Sequence, residues 1–154
     1  PGLAARASDS AGPRRYPLGM FALDPAFLAT SHELGDLPLC QARLQDDARY
    51  PWIVLIPRVE AARELEDLSP GDLARLTDEI LAAGRAVRAL GAPVEKLNIG
   101  ALGNVTPQLH VHVVGRRAGD PAWPGPVWGH SPAQPYEAED LAAVTAAARG
   151  ALGL

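Results

Sequence analysis

Apolar residues recur along the chain at two different spacings, and each spacing predicts a different element. Between Ser69 and Leu90 they return every three or four residues, as on one face of a helix. The Ser-Pro-Gly-Asp sequence that opens this segment supplies a capping Ser, a Pro at the first helical position and an acidic residue in the first turn. Residues 69–90 are therefore predicted to form a long helix.

Four further segments have the pattern of strands. The run from Trp52 to Ile56 is apolar throughout, which suits a strand that is covered on both faces. Residues 37–46 alternate in polarity, and residues 95–102 and 107–116 form a second pair joined by a short loop. Because these strands occur in adjacent pairs, we predict an α+β fold, an antiparallel sheet with a helix on one face.

The two ends of the chain differ in character. Residues 1–19 are rich in Ala, Gly, Pro, Ser and Arg without an apolar period, which predicts a flexible tail ahead of a single domain at 20–154. Asp24 and Pro25 resemble a helix start, and a short helix is expected to run from there to Gly35. Residues 120–129 are too rich in Pro and Gly for regular structure, and residues 136–152 predict a final helix.

Composition narrows the function classes. The 154 residues carry a formal net charge of −4, which argues against a general nucleic-acid binder or a protein that binds membrane surfaces. The longest apolar runs are far too short to cross a bilayer. Cys40 is the only cysteine, so no intramolecular disulfide forms, and a cytoplasmic location is expected. We expect Cys40 to be a small buried residue rather than a nucleophile.

The candidate chemistry lies in the last predicted strand, "PQLHVHVVGRR". Side chains alternate across a strand, so Gln108, His110 and His112 are predicted to share one side, with the aliphatic residues between them facing the core. A stripe of Gln, His and His makes a poor core face, because each buried polar group needs a partner.

Three interpretations of this stripe are compatible with the residues. The histidines could be incidental on a solvent-exposed face. They could ligate a metal, but further ligands would have to come from His32, His130 or scattered carboxylates. They could also serve phosphoryl chemistry, since a neutral imidazole is a good nucleophile near neutral pH and leaves well from phosphorus.

The same stretch resembles the signature strand of the histidine triad (HIT) superfamily, His-φ-His-φ-His-φ-φ with φ apolar. Upstream, "WIVLIPR" is similar to the family's strand that ends in Pro and a basic residue, and "LNIGALGNVTPQLHVH" resembles its Asn-x-Gly strand, loop and histidine strand in order and spacing. The resemblance covers residues 37–117. The closing "DPAWPGPVWG" is similar to that of a bacterial HIT-like subgroup with Gln in the first triad position.

The resemblance implies a homodimer that binds a purine nucleotide and cleaves it at the α-phosphorus through a nucleotidyl-histidine intermediate. The substrate would be a nucleoside phosphoramidate or a dinucleoside polyphosphate, with no cofactor and no metal assigned. It also implies a base pocket near Leu37 to Leu39 and Trp52. By the same resemblance the catalytic residues are His110 as nucleophile, His112 and Gln108, and the phosphate-binding residues are Asn98, Asn104 and Thr106.

Three departures from the family pattern favour a second hypothesis, a nucleotide-binding regulatory module with little turnover. Gln108 stands where the family has its first triad histidine and cannot titrate. A further family histidine after the Pro-basic strand end is replaced by Glu60 or Arg63. The loop hydroxyl of the family aligns with Val105, although Thr106 lies beside it.

Two pairs of residues near the end of this region have open roles. Arg116 and Arg117 could bind phosphate, but at a strand end both are expected to be solvated. Trp123 and Trp128 could flank the nucleotide site or reach across a dimer, or they could simply pack.

Overall fold

The computed structural model describes residues 21–154, and the tail predicted at 1–19 lies outside them. Three helices and five strands, with one short 3₁₀ turn between β3 and α2, follow in the order α1 Pro25–Thr30, β1 Ser31–Asp36, β2 Cys40–Gln45, β3 Trp52–Pro57, α2 Pro70–Arg88, β4 Lys96–Gly100, β5 Val111–Arg116 and α3 Ala138–Leu152. The strands form one antiparallel sheet in the order β1-β2-β3-β5-β4. The predicted α+β fold is confirmed.

One face of the sheet is covered by helices. Leu55 of β3 and Val113 of β5 pack in one buried cluster with Leu76 and Val87 of α2 and Ala148 of α3. Helix α2 begins where its sequence predicts, since the Ser69 hydroxyl accepts a hydrogen bond from the Asp72 amide at 3.1 Å. This layer contains most of the apolar core, and its helices cover one face of the sheet.

The other face is covered by irregular chain. Trp52 and Val114 of the sheet pack with Phe27 of α1 and with Ala122 and Val127, which belong to the Pro-rich arm predicted at 120–129. Every residue of β3 is buried, because both faces of this strand are covered, as its apolar run predicts. The arm and the first helix therefore shape the sheet face that carries the histidines.

The prediction that the first helix runs to Gly35 is wrong. Helix α1 ends at Thr30, and the next six residues form strand β1, in which Ser31 pairs with Gln45 of β2. Gly35 lies in this strand, beside a register shift, with a positive φ of 141°. The backbone hydrogen bonds offered by β2 override the local preference of the sequence for helix.

The histidine strand is shorter than predicted. It begins at Val111, and the predicted strand residues 107–110 precede it without regular structure. The Leu109 amide instead donates to the carbonyl oxygen of Ala62 at 2.9 Å, in the loop after β3. This backbone hydrogen bond takes the place of strand pairing at Leu109.

Cys40 is fully buried in the helix-side cluster, as predicted. Burial raises the pKa of its thiol, and the neighbouring Glu79 carboxylate raises it further. Glu79, itself buried, accepts hydrogen bonds from the amides of Leu39 and Cys40 at 2.7 and 2.9 Å. The thiol is therefore a packing group rather than a nucleophile. Within residues 21–154, no helix is both long and apolar enough to span a membrane.

Candidate active site

Two imidazole rings meet on the face of the sheet that α1 and the irregular arm cover. His112 lies on β5, opposite Val54 of β3 and Gly100 of β4, and His110 lies just before the strand. Their ring centroids are 4.8 Å apart and their planes are nearly perpendicular, at 80°. Phe27 packs edge-on against His110 at 4.8 Å, and His110 is only 7% exposed. The structure thus brings the two histidines together on one side of the sheet, as their spacing predicts, and their rings are in contact.

The His110 ring has a fixed hydrogen-bond partner. Its Nδ1 lies 2.6 Å from the carbonyl oxygen of Gln108. A carbonyl oxygen can only accept, so Nδ1 carries the proton and Nε2 of the neutral ring holds a lone pair. The bond is made within the histidine segment itself.

The His112 ring lies among aromatic side chains. The indole Nε1–H of Trp52 donates to its Nδ1 at 3.1 Å, and the ring of Trp128 has its centroid 5.6 Å away. Burial lowers the pKa of His112 to about 4, and repulsion from His110 contributes to the shift. His112 is therefore neutral throughout the physiological range.

This pKa predicts how stability depends on pH. The His112 pKa is about 4 in the folded chain and 6.5 in the unfolded one, so only the unfolded chain takes up this proton between those values. The free energy of unfolding is expected to fall as pH is lowered from 6.5 to 4, by up to about 1.4 kcal/mol per pH unit. Urea denaturation at several pH values measures this slope. It should be smaller in His112→Asn and unchanged in His130→Asn, and equal slopes in all three proteins would contradict the assignment.

The side chain of Gln108 is held by backbone groups of the segment before α1. Its side-chain oxygen accepts from the Asp24 amide at 2.8 Å, and its side-chain nitrogen donates to the Ala22 carbonyl at 2.9 Å. Both polar atoms thus bind the segment that leads into α1. Since Phe27 of α1 packs on His110, Gln108 anchors the chain segment that covers the candidate nucleophile.

Asn98 lies on β4, on the same face as His112. Its side-chain oxygen accepts from the Arg116 guanidinium at 2.7 Å. This bond leaves the amide nitrogen as the group that Asn98 can offer to a ligand.

Arg116 is not solvated, so that expectation is wrong. Its side chain is 1% exposed and makes two hydrogen bonds to the Asp120 carboxylate, at 2.7 and 2.9 Å. It also donates to the Gly125 carbonyl, and its guanidinium lies over the Trp123 ring at 5.7 Å. Arg116 therefore ties the irregular arm to β4, while Arg117 is exposed as expected.

The loop residues proposed for phosphate binding lie between β4 and the histidines. Asn104 is exposed and Thr106 is half-buried, and Val105 between them is 94% exposed. Gly103 has a positive φ of 68°, a conformation that favours Gly and turns the loop here. These residues precede the histidine segment in the chain, and their binding role stays a prediction.

The residues expected to form the base pocket lie on opposite sides of the sheet. Leu37 and Leu39 are buried in the cluster on the helix side of the sheet, whereas Trp52 lies on the histidine side. The aromatic neighbour that the sequence left open is Trp128, whose ring packs perpendicular to that of Trp52 at 6.4 Å. A Cβ at Gly100 would lie 3.3 Å from the Trp128 ring, so the glycine makes room for it.

Comparison with known proteins agrees with this geometry. Residues 28–119 match the HIT domain family. The chain belongs to the HIT family. Three histidine triad proteins of known structure are similar to it. That of Sinorhizobium meliloti is 43% identical over 84% of this chain and 97% of its own, with a TM-score of 0.80.

Two further histidine triad proteins have a comparable similarity to the chain. That of Bradyrhizobium japonicum is 39% identical over 86% of this chain and 98% of its own, with a TM-score of 0.82. That of Marinobacter aquaeolei is 42% identical over 88% and 98%, with a TM-score of 0.83. No curated protein sequence matches the chain.

The loop after β3 borders a small cavity. Arg63, one of the two alternatives that the sequence offers for the position of a further family histidine, lines a cavity of about 220 Å³ together with Asp24, Pro107 and Gln108. Ala61 in the same wall has a positive φ of 57°. Across residues 21–154, no three His, Cys, Asp or Glu side chains lie close enough together to hold a metal ion.

Proposed function

We propose that this HIT protein is a nucleotide hydrolase or transferase. It cleaves a nucleoside phosphoramidate or a dinucleoside polyphosphate at the α-phosphorus, through a nucleotidyl intermediate on His110. The observation that carries the proposal is the hydrogen bond from His110 Nδ1 to the Gln108 carbonyl, which leaves the Nε2 lone pair for attack.

In the first step, Nε2 of His110 forms a bond to the α-phosphorus. The bond from phosphorus to the leaving nitrogen or oxygen breaks, and its electron pair goes with the leaving group, which takes a proton from water when it is an amine. The ring then carries a positive charge with Nδ1 still protonated. The Gln108 carbonyl at 2.6 Å stabilises that charge, because a hydrogen bond from a cation is stronger than one from a neutral donor.

In the second step, water attacks the same phosphorus from the other side. The bond between phosphorus and Nε2 breaks, the electron pair returns to His110, and the nucleoside monophosphate leaves as the attacking water gives up a proton to bulk solvent. His112, Asn98, Asn104 and Thr106 are assigned to hold the phosphate oxygens through this exchange. The amide nitrogen of Asn98 suits the role, since Arg116 already occupies its oxygen.

Gln108 is assigned to the first triad position, as in the bacterial subgroup that the arm resembles. In this chain its side chain anchors the segment from Ala22 to Asp24 and leaves the phosphate to other groups. The ligand is proposed to be a purine nucleotide, because the Trp128 ring beside His112 offers a flat aromatic surface for a base. A cytoplasmic location, where such nucleotides are available, stays a prediction.

The proposal is tested by intact-protein mass spectrometry. The protein is mixed briefly with an adenosine phosphoramidate and quenched at alkaline pH, where a phosphoramidate bond to histidine survives. A mass increase of one nucleotidyl group is expected in the parent protein and in His130→Ala, and not in His110→Ala. Product without such an adduct in any protein would overturn the covalent mechanism.

One observation favours a second function, a nucleotide-binding module with little turnover. Both polar atoms of the Gln108 side chain already hydrogen-bond to backbone groups, so the side chain at the first triad position has no atom left to assist the leaving group. Calorimetry with AMP separates the two functions. Tight binding with no product from any phosphoramidate or dinucleotide would identify the module.

A metal-dependent hydrolase is tested by exhaustive chelation, and full activity after it removes that option.

The homodimer is proposed on the open edge of the sheet. Strand β4 is an edge strand, and its Ile99 side chain is 50% exposed. Two further large apolar side chains are exposed, Leu102 just after β4 at 42% and Leu81 on α2 at 56%. An open edge with apolar side chains favours pairing with a second copy. Light scattering is expected to give a dimeric mass for the parent protein and a monomeric mass for Ile99→Lys. Leu28→Lys, at a residue 63% exposed on α1, should leave the mass unchanged, and a monomeric parent would contradict the proposal.

A further inference from the structure

The hydrogen bond between Trp52 and His112 has a chemical direction. The indole nitrogen of Trp52 carries a hydrogen and has no lone pair to offer, so it can only donate. Its partner at 3.1 Å, Nδ1 of His112, must therefore accept. Trp52 lies on β3 and is 7% exposed, and Val54, two residues further along the strand, pairs with His112 on β5. The bond is thus made within the packed sheet face.

The direction of this bond fixes where the proton lies on His112. A neutral imidazole carries one N–H, and a nitrogen that accepts a hydrogen bond is the one without it. His112 therefore has its proton on Nε2. The arrangement is the reverse of that in His110, where Nδ1 is protonated and Nε2 holds the lone pair.

We propose that Trp52 is a positioning residue that holds His112 as a neutral Nε2–H donor. The two histidines then present opposite groups, a lone pair from His110 for the phosphorus and an N–H from His112 for a non-bridging oxygen. Trp52 acts through His112 and does not itself contact the reacting atoms. The use made of the N–H rests on the proposed function, whereas the tautomer itself does not.

The surroundings of His112 support this role. The rings that pack on it belong to Trp52, Trp128 and His110, and Gly100 and Val54 flank it on the neighbouring strands. His110 is the titratable group among these five. A proton on Nδ1 would face the indole N–H, and a positive charge would face His110 in a partly buried setting. The low pKa of His112, about 4, agrees with a ring that accepts at Nδ1 and stays neutral.

Nitrogen NMR of the imidazoles tests the proposal without nucleotide or turnover. The protein is labelled with ¹⁵N-histidine at pH 7.5, and the His112 signals are identified by their absence in His112→Ala. We expect Nε2 in the protonated range and Nδ1 in the unprotonated range. A His112 ring protonated on Nδ1, or exchanging evenly between both forms, would overturn the proposal even if the enzyme is active.

Two matched variants then separate the hydrogen bond from packing. Trp52→Phe keeps an aromatic ring but removes the donor, so His112 is expected to become a mixture of tautomers, with a roughly three- to tenfold fall in kcat/KM. Trp128→Phe, also beside His112 but without a hydrogen bond to it, should keep the single tautomer. An unchanged tautomer in a folded Trp52→Phe protein would disprove the role of Trp52. If that variant fails to fold, the spectrum of the parent protein decides alone.

Discussion

Replacement of His110 by Ala is expected to lower kcat/KM for an adenosine phosphoramidate by at least about 10³-fold, because it removes the proposed nucleophile. The remaining site would retain its aromatic wall and the phosphate-binding groups of β4 and the loop. We therefore expect the dissociation constant for AMP, measured by calorimetry, to change much less than the rate. That separation between rate and affinity distinguishes a lost nucleophile from a damaged fold.

His130→Ala serves as the matched control. His130 is an exposed histidine whose Nδ1 lies 2.9 Å from the Ser131 hydroxyl. Its replacement should leave kcat/KM within about twofold, since substitutions of exposed side chains usually have small effects. A His110→Ala protein that turns over substrate as fast as the parent would eliminate the covalent mechanism and favour the binding module.

Replacement of Arg116 by Ala is expected to cost about 3–5 kcal/mol of unfolding free energy. The Asp120 carboxylate, 2% exposed, would lose both of its hydrogen bonds from the guanidinium and remain buried without a compensating charge. The Asn98 side chain and the Gly125 carbonyl would lose a partner as well. This is a large share of the roughly 5–15 kcal/mol that stabilises an ordinary domain.

Arg117→Ala provides the comparison one residue away. Urea denaturation measures the unfolding free energy of both variants. Because the Arg117 side chain is exposed, its replacement is expected to cost no more than about 0.5 kcal/mol. A loss below about 1 kcal/mol in Arg116→Ala would mean that the ion pair does not hold the arm to the sheet.

Local patterns in the sequence predict the elements whose signals are local. Helix α2 carries its own cap at Ser69 and its own apolar stripe, and β3 is apolar because both of its faces are covered. The segment after Thr30 has no such signal. It forms a strand because β2 provides backbone hydrogen-bond partners for it, and this pairing cannot be predicted from the local sequence.

The candidate site divides in the same way. The contact between His110 and His112 follows from their spacing, since alternation along an extended segment puts them on one side. The position of Trp128 beside His112 could not be predicted from the sequence, because Trp128 belongs to an arm without regular structure. The side of the sheet on which Leu37 and Leu39 pack could not be predicted either, because it depends on which parts of the chain cover each face.

The sequence by itself determined the α+β fold, its helix and strand order apart from β1, and the two histidines in one stripe. Only the tertiary structure decided what each polar group of the site bonds to. Trp52 is 60 residues from His112, Gln108 is 84 residues from Asp24, and Arg116 is 18 residues from Asn98. A hydrogen bond needs its two atoms within about 3 Å and aligned, and for residues this far apart in the chain the packed fold alone sets that distance.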